Sequence, residues 1–402
     1  MDTDAMPVEA YVSNGLRRIR PYYVTRTSYV KGRWIGRRLV DVLAAEFRAY
    51  PREHYIDLIS KGSYRLLRDA EDVDPRTSTI RHGDVMVSRL HKHEPPVRKW
   101  CSISEEREDI PGKRIAGMAI VHEDDNLLVI DKPMGVPVHP TGQFFHNTVT
   151  EILKDHGVTP YPSYRLDKVT SGLLILAKNK DAASQVQQKI SAREMNKVYL
   201  ARVKGRFPHA TTKVSTEPFL DVMRTTSHDS PIYGIDPKRG FPAGLLPSRE
   251  ASTLFYPLRY IPHSHESIVA CKPLTGRTHQ IRIHLARLGH PISNDSMYCE
   301  DCTMYPLRLQ FMRRVSEWEN CGLGQNELQS LFKKVQEEAQ GVTDSKVSSL
   351  GEEKCPECGA VLMADPAMSQ LELYLHAWKY YDDEGAFDFE TAMPEWADTS
   401  SI

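Results

Sequence analysis

Residues 161–178 read Tyr-Pro-Ser-Tyr-Arg-Leu-Asp-Lys-Val-Thr-Ser-Gly-Leu-Leu-Ile-Leu-Ala-Lys. Asp167 lies between Arg165 and Lys168, shortly before the apolar β-type run Leu173–Ala177. Opposite charge nearby favours the charged form of a carboxylate, so this placement suits an anionic nucleophile at the mouth of a strand. The bare tripeptide Arg-Leu-Asp fits a surface turn better than a reactive centre. The longer string Arg-Leu-Asp-x-x-Thr-Ser-Gly-Leu-Leu-Ile shifts the balance toward chemistry.

Working outward, residues 126–142 read Asn-Leu-Leu-Val-Ile-Asp-Lys-Pro-Met-Gly-Val-Pro-Val-His-Pro-Thr-Gly, and residues 196–205 read Asn-Lys-Val-Tyr-Leu-Ala-Arg-Val-Lys-Gly. Residues 272–291 contain Thr-Gly-Arg-Thr-His-Gln-Ile-Arg, and Leu375, His376 and Ala377 follow much later. In this order the stretches resemble the motifs of the RluA-type pseudouridine synthases, over roughly residues 115–298 and 368–396. The resemblance implies an RNA enzyme that breaks the N-glycosidic bond of uridine, turns the uracil and rejoins it through carbon. No redox cofactor or metal is implied for that step.

The resemblance also implies roles. Asp167 matches the single essential aspartate, and Arg165 the arginine that fills the place of the flipped-out base. Tyr199 matches the tyrosine that packs on the uracil and moves a proton. Arg282 matches the counter-charge to Asp167, with Arg277 as its rival, while His279 and Gln280 brace the loop. One position departs from the pattern: the family carries His before Arg-Leu-Asp, and this chain carries Tyr164. Activity is expected to survive that exchange, with a different local contact to RNA. His-Lys-His-Glu-Pro-Pro-Val at 91–97 and Met-Pro-Glu-Trp-Ala at 393–397 resemble the eukaryotic tRNA-modifying branch, which implies uridine at position thirty-two of the anticodon loop. Ribosomal or messenger RNA is the alternative substrate. An inert RNA-binding protein and a uridine-cleaving hydrolase are the alternative classes.

Composition agrees with a globular protein of two or three domains: 402 residues, 40% hydrophobic and 26% charged. No apolar run approaches the ~20 residues of a membrane helix. The acidic opening Met-Asp-Thr-Asp-Ala-Met argues against a secretory signal, so the expected compartment is the cytoplasm, with nucleus or mitochondrion as alternatives, and the expected state a monomer. Net charge is −1, yet residues 11–40 hold eight Arg and Lys, no acid, and five aromatics. Cations interleaved with aromatics suit phosphate contact and base stacking, which makes Arg17, Arg18, Arg20, Arg33, Arg37 and Arg38 candidate RNA ligands. A solvated basic face is the plainer reading.

Cys101, Cys271 and Cys321 stand alone, whereas Cys299/Cys302 and Cys355/Cys358 form two Cys-x-x-Cys pairs. Without a secretory signal such pairs favour metal over disulfides. One structural zinc on these four cysteines is expected, although 52 residues between the pairs exceed the spacing of a compact zinc ribbon.

The expected fold is α+β: a pseudouridine synthase domain with a mixed, largely antiparallel sheet (117–298 and 368–402). A basic region with a small α+β RNA-binding module (1–95) and a linker (96–116) precede it, and a helical zinc-binding insertion (299–367) interrupts it. Residues 1–20 are expected to be disordered. Within the module, apolar spacing predicts a helix over 38–47 and another near 54–60, with a turn and strand at 80–87. The catalytic domain is expected to hold a hairpin at 119–130, helices at 148–156, 181–192 and 278–288, strands at 173–177 and 198–203, and an irregular excursion over 207–250. A helix over 309–338 fills the insertion.

Overall fold

The computed structural model describes residues 8–47, 52–215, 218–219, 221–234, 248–316, 325–348, 354–360, 362 and 364–397. The chain forms two compact units. The first comprises residues 1–11, 19–94 and 355–360; the second comprises 12–18, 95–354 and 361–402. No helix among the described residues is long and apolar enough to cross a membrane.

The first unit is a four-stranded antiparallel sheet in the order Tyr22–Tyr29, Val85–Lys92, Tyr64–Arg68, Glu71–Val73. Leu39–Val42 runs into a wider helical turn, Leu43–Phe47, and Arg52–Ser60 forms the second helix. Helical spacing puts Leu39, Val42, Leu43, Tyr55 and Ile59 on inward faces, where they meet Trp34, Leu66 and Ile80. Buried Asp84 accepts two bonds from Arg68, at 2.8 and 2.9 Å, fixing the turn that enters Val85–Lys92.

The second unit is built on an eleven-stranded sheet. Its main path runs Thr226–Asp229, Ser252–Ile261, Glu266–Pro273, Met195–Lys204, Leu375–Asp382, Ser171–Ala177, Leu127–Lys132, Met118–Glu123 and Arg114–Ile115. A parallel pairing joins Ser171–Ala177 to Leu375–Asp382, through Ser171–His376 and Gly172–Ala377. Gly172 has φ +105°, and a Cβ there would lie 2.2 Å from the Ala377 carbonyl oxygen, so only glycine allows this approach. His376 is buried between the Ser171 and Thr391 hydroxyls, at 2.9 and 2.6 Å, and bolts the same junction. Every residue of Ser171–Ala177 is buried, which explains its unbroken apolar run.

The hairpin appears as Met118–Glu123 and Leu127–Lys132, and the helices as Val149–Asp155, Lys180–Ala192 and Gln280–Arg287. Four expectations change, the first being that the excursion over 207–250 is not wholly irregular but carries the sheet strand Thr226–Asp229. Residues 10–13 and 16–19 are strands rather than disordered chain. The expected linker carries the helix Ile103–Arg107, capped reciprocally by Ser102 and Glu105. The insertion holds the helices Pro306–Ser316 and Gln325–Ser348, packed through Phe311, Val315, Leu328, Phe332 and Val335. The middle of the expected helix, residues 317–324, lies outside the described residues.

Candidate active site

Asp167 lines a cleft of about 730 Å³ together with Arg165, Tyr199, Arg277, His279 and Arg282. It occupies the turn entering Ser171–Ala177, closed by the Thr170 N–H on its own carbonyl at 3.1 Å. The opposing Asp-Lys-Pro-Met-Gly loop grips that turn. The Gly135 N–H and the Lys132 ammonium both donate to the Lys168 carbonyl, at 2.8 and 3.3 Å. Lys132 also holds the Pro133 and Val136 carbonyls, each at 2.8 Å, and is fully buried. Burial pushes its ammonium down to about 7, against the pull of Asp167 and Asp131.

Arg282 and His279 face Asp167 from the start of Gln280–Arg287. Arg282 Nη1 lies 3.8 Å from Asp167 Oδ2 while Nε and Nη2 bond both oxygens of Asp295, at 2.7 and 2.8 Å. Burial works against the guanidinium charge, but the bonds and charge of Asp295 outweigh it and hold the group above its ordinary value. His279 Nε2 lies 3.5 Å from the same Asp167 oxygen, and its Nδ1 is 2.8 Å from the Tyr298 hydroxyl. Burial, then the charge of Arg282, push this imidazole down to about 4. The neutral ring is therefore the form present near neutral pH. Gln280 braces the loop as expected, spanning the Thr275 hydroxyl, the Arg277 N–H and the Ser252 carbonyl. Arg277 turns aside to donate to the Glu250 carbonyl at 3.0 Å.

Tyr199 lies on Met195–Lys204, between Cys271 and Ala377 in register and beside a bulge at Val198. Its hydroxyl is 2.8 Å from that of Tyr380, and burial pushes the phenol up to about 12. Tyr164 accepts from the Ile175 N–H at 3.0 Å and donates to the Leu173 carbonyl at 3.3 Å. The tyrosine in the family's histidine position thus ties the Asp167 loop to the buried strand. Arg165 is exposed on the cleft.

Sequence reasoning missed three groups: His279 as a neighbour of Asp167, Asp295 as the partner of Arg282, and Lys132. Lys132 belongs to the 126–142 motif, whose spacing gave no sign of its burial. Asp295 carried no local signal.

Two expectations about other sites are corrected. Arg17 is buried, donating to both oxygens of Glu106 at 2.7 and 2.6 Å and to Asn147 at 2.6 Å, so it is spent inside the second unit. Arg18 is half-buried on Asp365, whereas Arg20, Arg33 and Arg38 are exposed and Arg37 is partly so. The second correction concerns metal ligands. Among the described residues, the group able to hold an ion joins Cys355 and Cys358 to His91 and His93 and does not include Cys299 or Cys302. The Cys302 thiol instead faces the carbonyls of Ser293 and Asp295, at 3.8 and 3.4 Å, inside the second unit.

The pattern described as "RNA pseudouridylate synthase" matches residues 126–287, which span Asp167, Tyr199 and Arg282. The chain is 54% identical to the tRNA pseudouridine(31) synthase of Saccharomyces cerevisiae over 97% of both chains. It is 34% identical to the tRNA pseudouridine(32) synthase, mitochondrial, of the same organism, over 97% of this chain and 78% of that one. Pseudouridylate synthase RPUSD2 of Homo sapiens is 38% identical over 72% of this chain and 47% of its own. Agreement over nearly the full length of a relative that shares more than half its residues leaves one family available, and the chain belongs to it: an RNA pseudouridine synthase of the RluA type.

Proposed function

We propose that this chain isomerises a uridine in the anticodon stem-loop of tRNA, with Asp167 as the group that acts on the ribose. The observation that carries this reading is the convergence of Arg282 and His279 on one Asp167 oxygen, at 3.8 and 3.5 Å, in a cleft that Tyr199 also lines. The reaction balances without a co-reactant: the N1–C1′ bond breaks, a C5–C1′ bond forms, and the proton of C5 is lost as N1 gains one. Asp167 would act either by attack at C1′ or by taking the neighbouring sugar proton. Arg282, anchored by Asp295, keeps a positive charge beside it. With Tyr298 donating to Nδ1, the neutral His279 presents Nε2–H to the same carboxylate.

The base must leave its stack first, at a cost of a few kcal/mol. Arg165, exposed at the cleft, would fill the vacated place. Tyr199 would pack on the flipped uracil and, with its phenol held protonated, serve as a proton donor rather than a base. Arg20, Arg33, Arg37 and Arg38 of the first unit would contact phosphates.

Position thirty-two was the expectation from sequence. The greater identity to a relative named for position 31, 54% against 34% for one named for position 32, favours 31 for this chain. Pseudouridine mapping of tRNA in cells with and without the protein tests both. Loss of the modification at 31 alone supports the reading, loss at 32 alone returns the sequence expectation, and loss in ribosomal or messenger RNA only would overturn the tRNA assignment.

A further inference from the structure

We propose that His91, His93, Cys355 and Cys358 form a closed structural zinc site that fastens residues 355–360 to the end of the strand Val85–Lys92 in the first unit. Their ligand atoms all lie within 4.8 Å of one another. His93 Nε2 is 3.3 Å from Cys358 Sγ, and His91 Nδ1 is 3.5 Å from Cys355 Sγ. Zinc with ~2.3 Å bonds to sulfur and ~2.0–2.1 Å bonds to nitrogen sets the N–S edge of a tetrahedron at about 3.6 Å. These two nitrogen–sulfur pairs therefore already stand at nearly the separation that one ion would impose.

The local sequence accounts for both halves. His91 is held on Val85–Lys92, opposite Tyr23, and His93 follows two residues on. In extended chain that spacing points both imidazoles to one side. Cys-Pro-Glu-Cys-Gly folds into a tight turn: the Gly359 N–H donates to the Cys355 carbonyl at 2.9 Å, and the Cys355 N–H to the Ala360 carbonyl at 2.8 Å. Gly359 takes φ +69°, a conformation suited to glycine.

Two further observations point to an ion rather than to four side chains meeting by packing. The ring nitrogen of His91 that faces away from Cys355 lies 3.6 Å from a Glu357 carboxylate oxygen, the outer partner that metal-bound histidines usually have. Residues 355–360 also belong to the first unit although the chain on both sides of them belongs to the second. Among the described residues, the apolar cluster around Trp34 and Leu66 takes no side chain from this segment, whose one buried residue is the ligand Cys355 itself, so apolar packing does not explain its attachment. Two thiolates and two imidazoles suit zinc rather than magnesium or calcium, and two thiolates neutralise its charge. Four protein ligands leave no open position, so the role is structural.

Metal analysis of the full chain, purified without added metal, tests the proposal. About one zinc per chain is expected. His93→Ala and Cys358→Ser should each lower it at least several-fold, whereas the Cys299→Ser/Cys302→Ser double variant should retain it. Should either ligand variant fail to fold, X-ray absorption of the wild-type protein decides, with a shell of two sulfurs and two nitrogens expected. Absence of metal, a four-sulfur shell, a metal other than zinc, or zinc lost only from the Cys299/Cys302 variant would each overturn it.

Discussion

Arg282 bonds both carboxylate oxygens of Asp295, at 2.7 and 2.8 Å, in a buried pair that aims its third nitrogen at Asp167. Asp295 also accepts from the N–H groups of Met297 and Tyr298, at 2.9 and 3.2 Å, so it organises the turn as well as the charge. Asp295→Ala would leave a buried guanidinium uncompensated, which typically costs about 3–5 kcal/mol. The urea unfolding midpoint should fall accordingly, and turnover should drop even where the variant remains folded. An unchanged midpoint would show that this pair is dispensable.

Asp167→Asn should abolish tritium release from C5-labelled tRNA and leave the unfolding midpoint near that of the wild type. The carboxylate is 27% exposed, and its two neighbours, the Arg282 guanidinium and the neutral His279 ring, lie at 3.8 and 3.5 Å, so the fold gains little from it. Arg282→Met should cost the rate at least a hundredfold. Arg277→Met should cost far less, because its guanidinium serves the Glu250 carbonyl. Comparable losses at the two arginines would remove the distinction between them.

The parts of the fold legible in the sequence were those carried by local patterns. Asp167, Tyr199 and Arg282 were named from their motifs, and the structure brings all three to one cleft. Ser171–Ala177 announced itself by an unbroken apolar run. Ser252–Ile261 did not: Pro257 interrupts its pattern, and the structure places a bulge there, between Pro257 and Arg259. Long-range partners were also illegible. Nothing near Arg17 reveals that Glu106 and Asn147 will bury it. Two paired cysteines suggested each other, whereas the histidines beside Cys355 and Cys358 come from more than 260 residues away.

Tyr199→Phe removes a hydroxyl while keeping the ring. If that hydroxyl delivers a proton, turnover should fall by roughly 10²–10⁴-fold with little change in tRNA affinity. Because burial holds the phenol up to about 12, the wild-type rate should show no limb from its ionisation between pH 6 and about 10. Single-turnover rates at saturating enzyme measure this, and a wild-type rate in the phenylalanine variant would assign the residue to packing alone.

The basic segment divides by burial. Replacing Arg37 and Arg38 with glutamine should reduce the log–log salt dependence of tRNA binding by about one for each phosphate no longer neutralised. Arg17→Gln should leave that slope unchanged and instead lower stability, by about 3–5 kcal/mol for a broken buried pair. Filter binding across a salt series, alongside urea unfolding, separates the two. A slope that responds to Arg17 and not to Arg37 or Arg38 would reverse the assignment.

Stability should decline on acidification through two buried histidines, His284 and His376. His284 bridges the Thr253 hydroxyl and the Ser230 carbonyl, each at 3.0 Å, and His376 bridges Ser171 and Thr391. Burial pushes both down to about 4, from an ordinary value of 6.5. Between those values the unfolded chain binds more protons than the folded one, so stability rises with pH there. The contribution is fully present above about 6.5 and is lost as pH falls toward 4. At ~1.4 kcal/mol for each pH unit between the two values, each histidine accounts for about 3 kcal/mol at most. Glutamine can accept from one neighbour and donate to the other without titrating. The double variant His284→Gln/His376→Gln should therefore lose stability less steeply than the wild type over this range. Urea midpoints that fall in parallel for the two proteins would place the acid sensitivity in other groups.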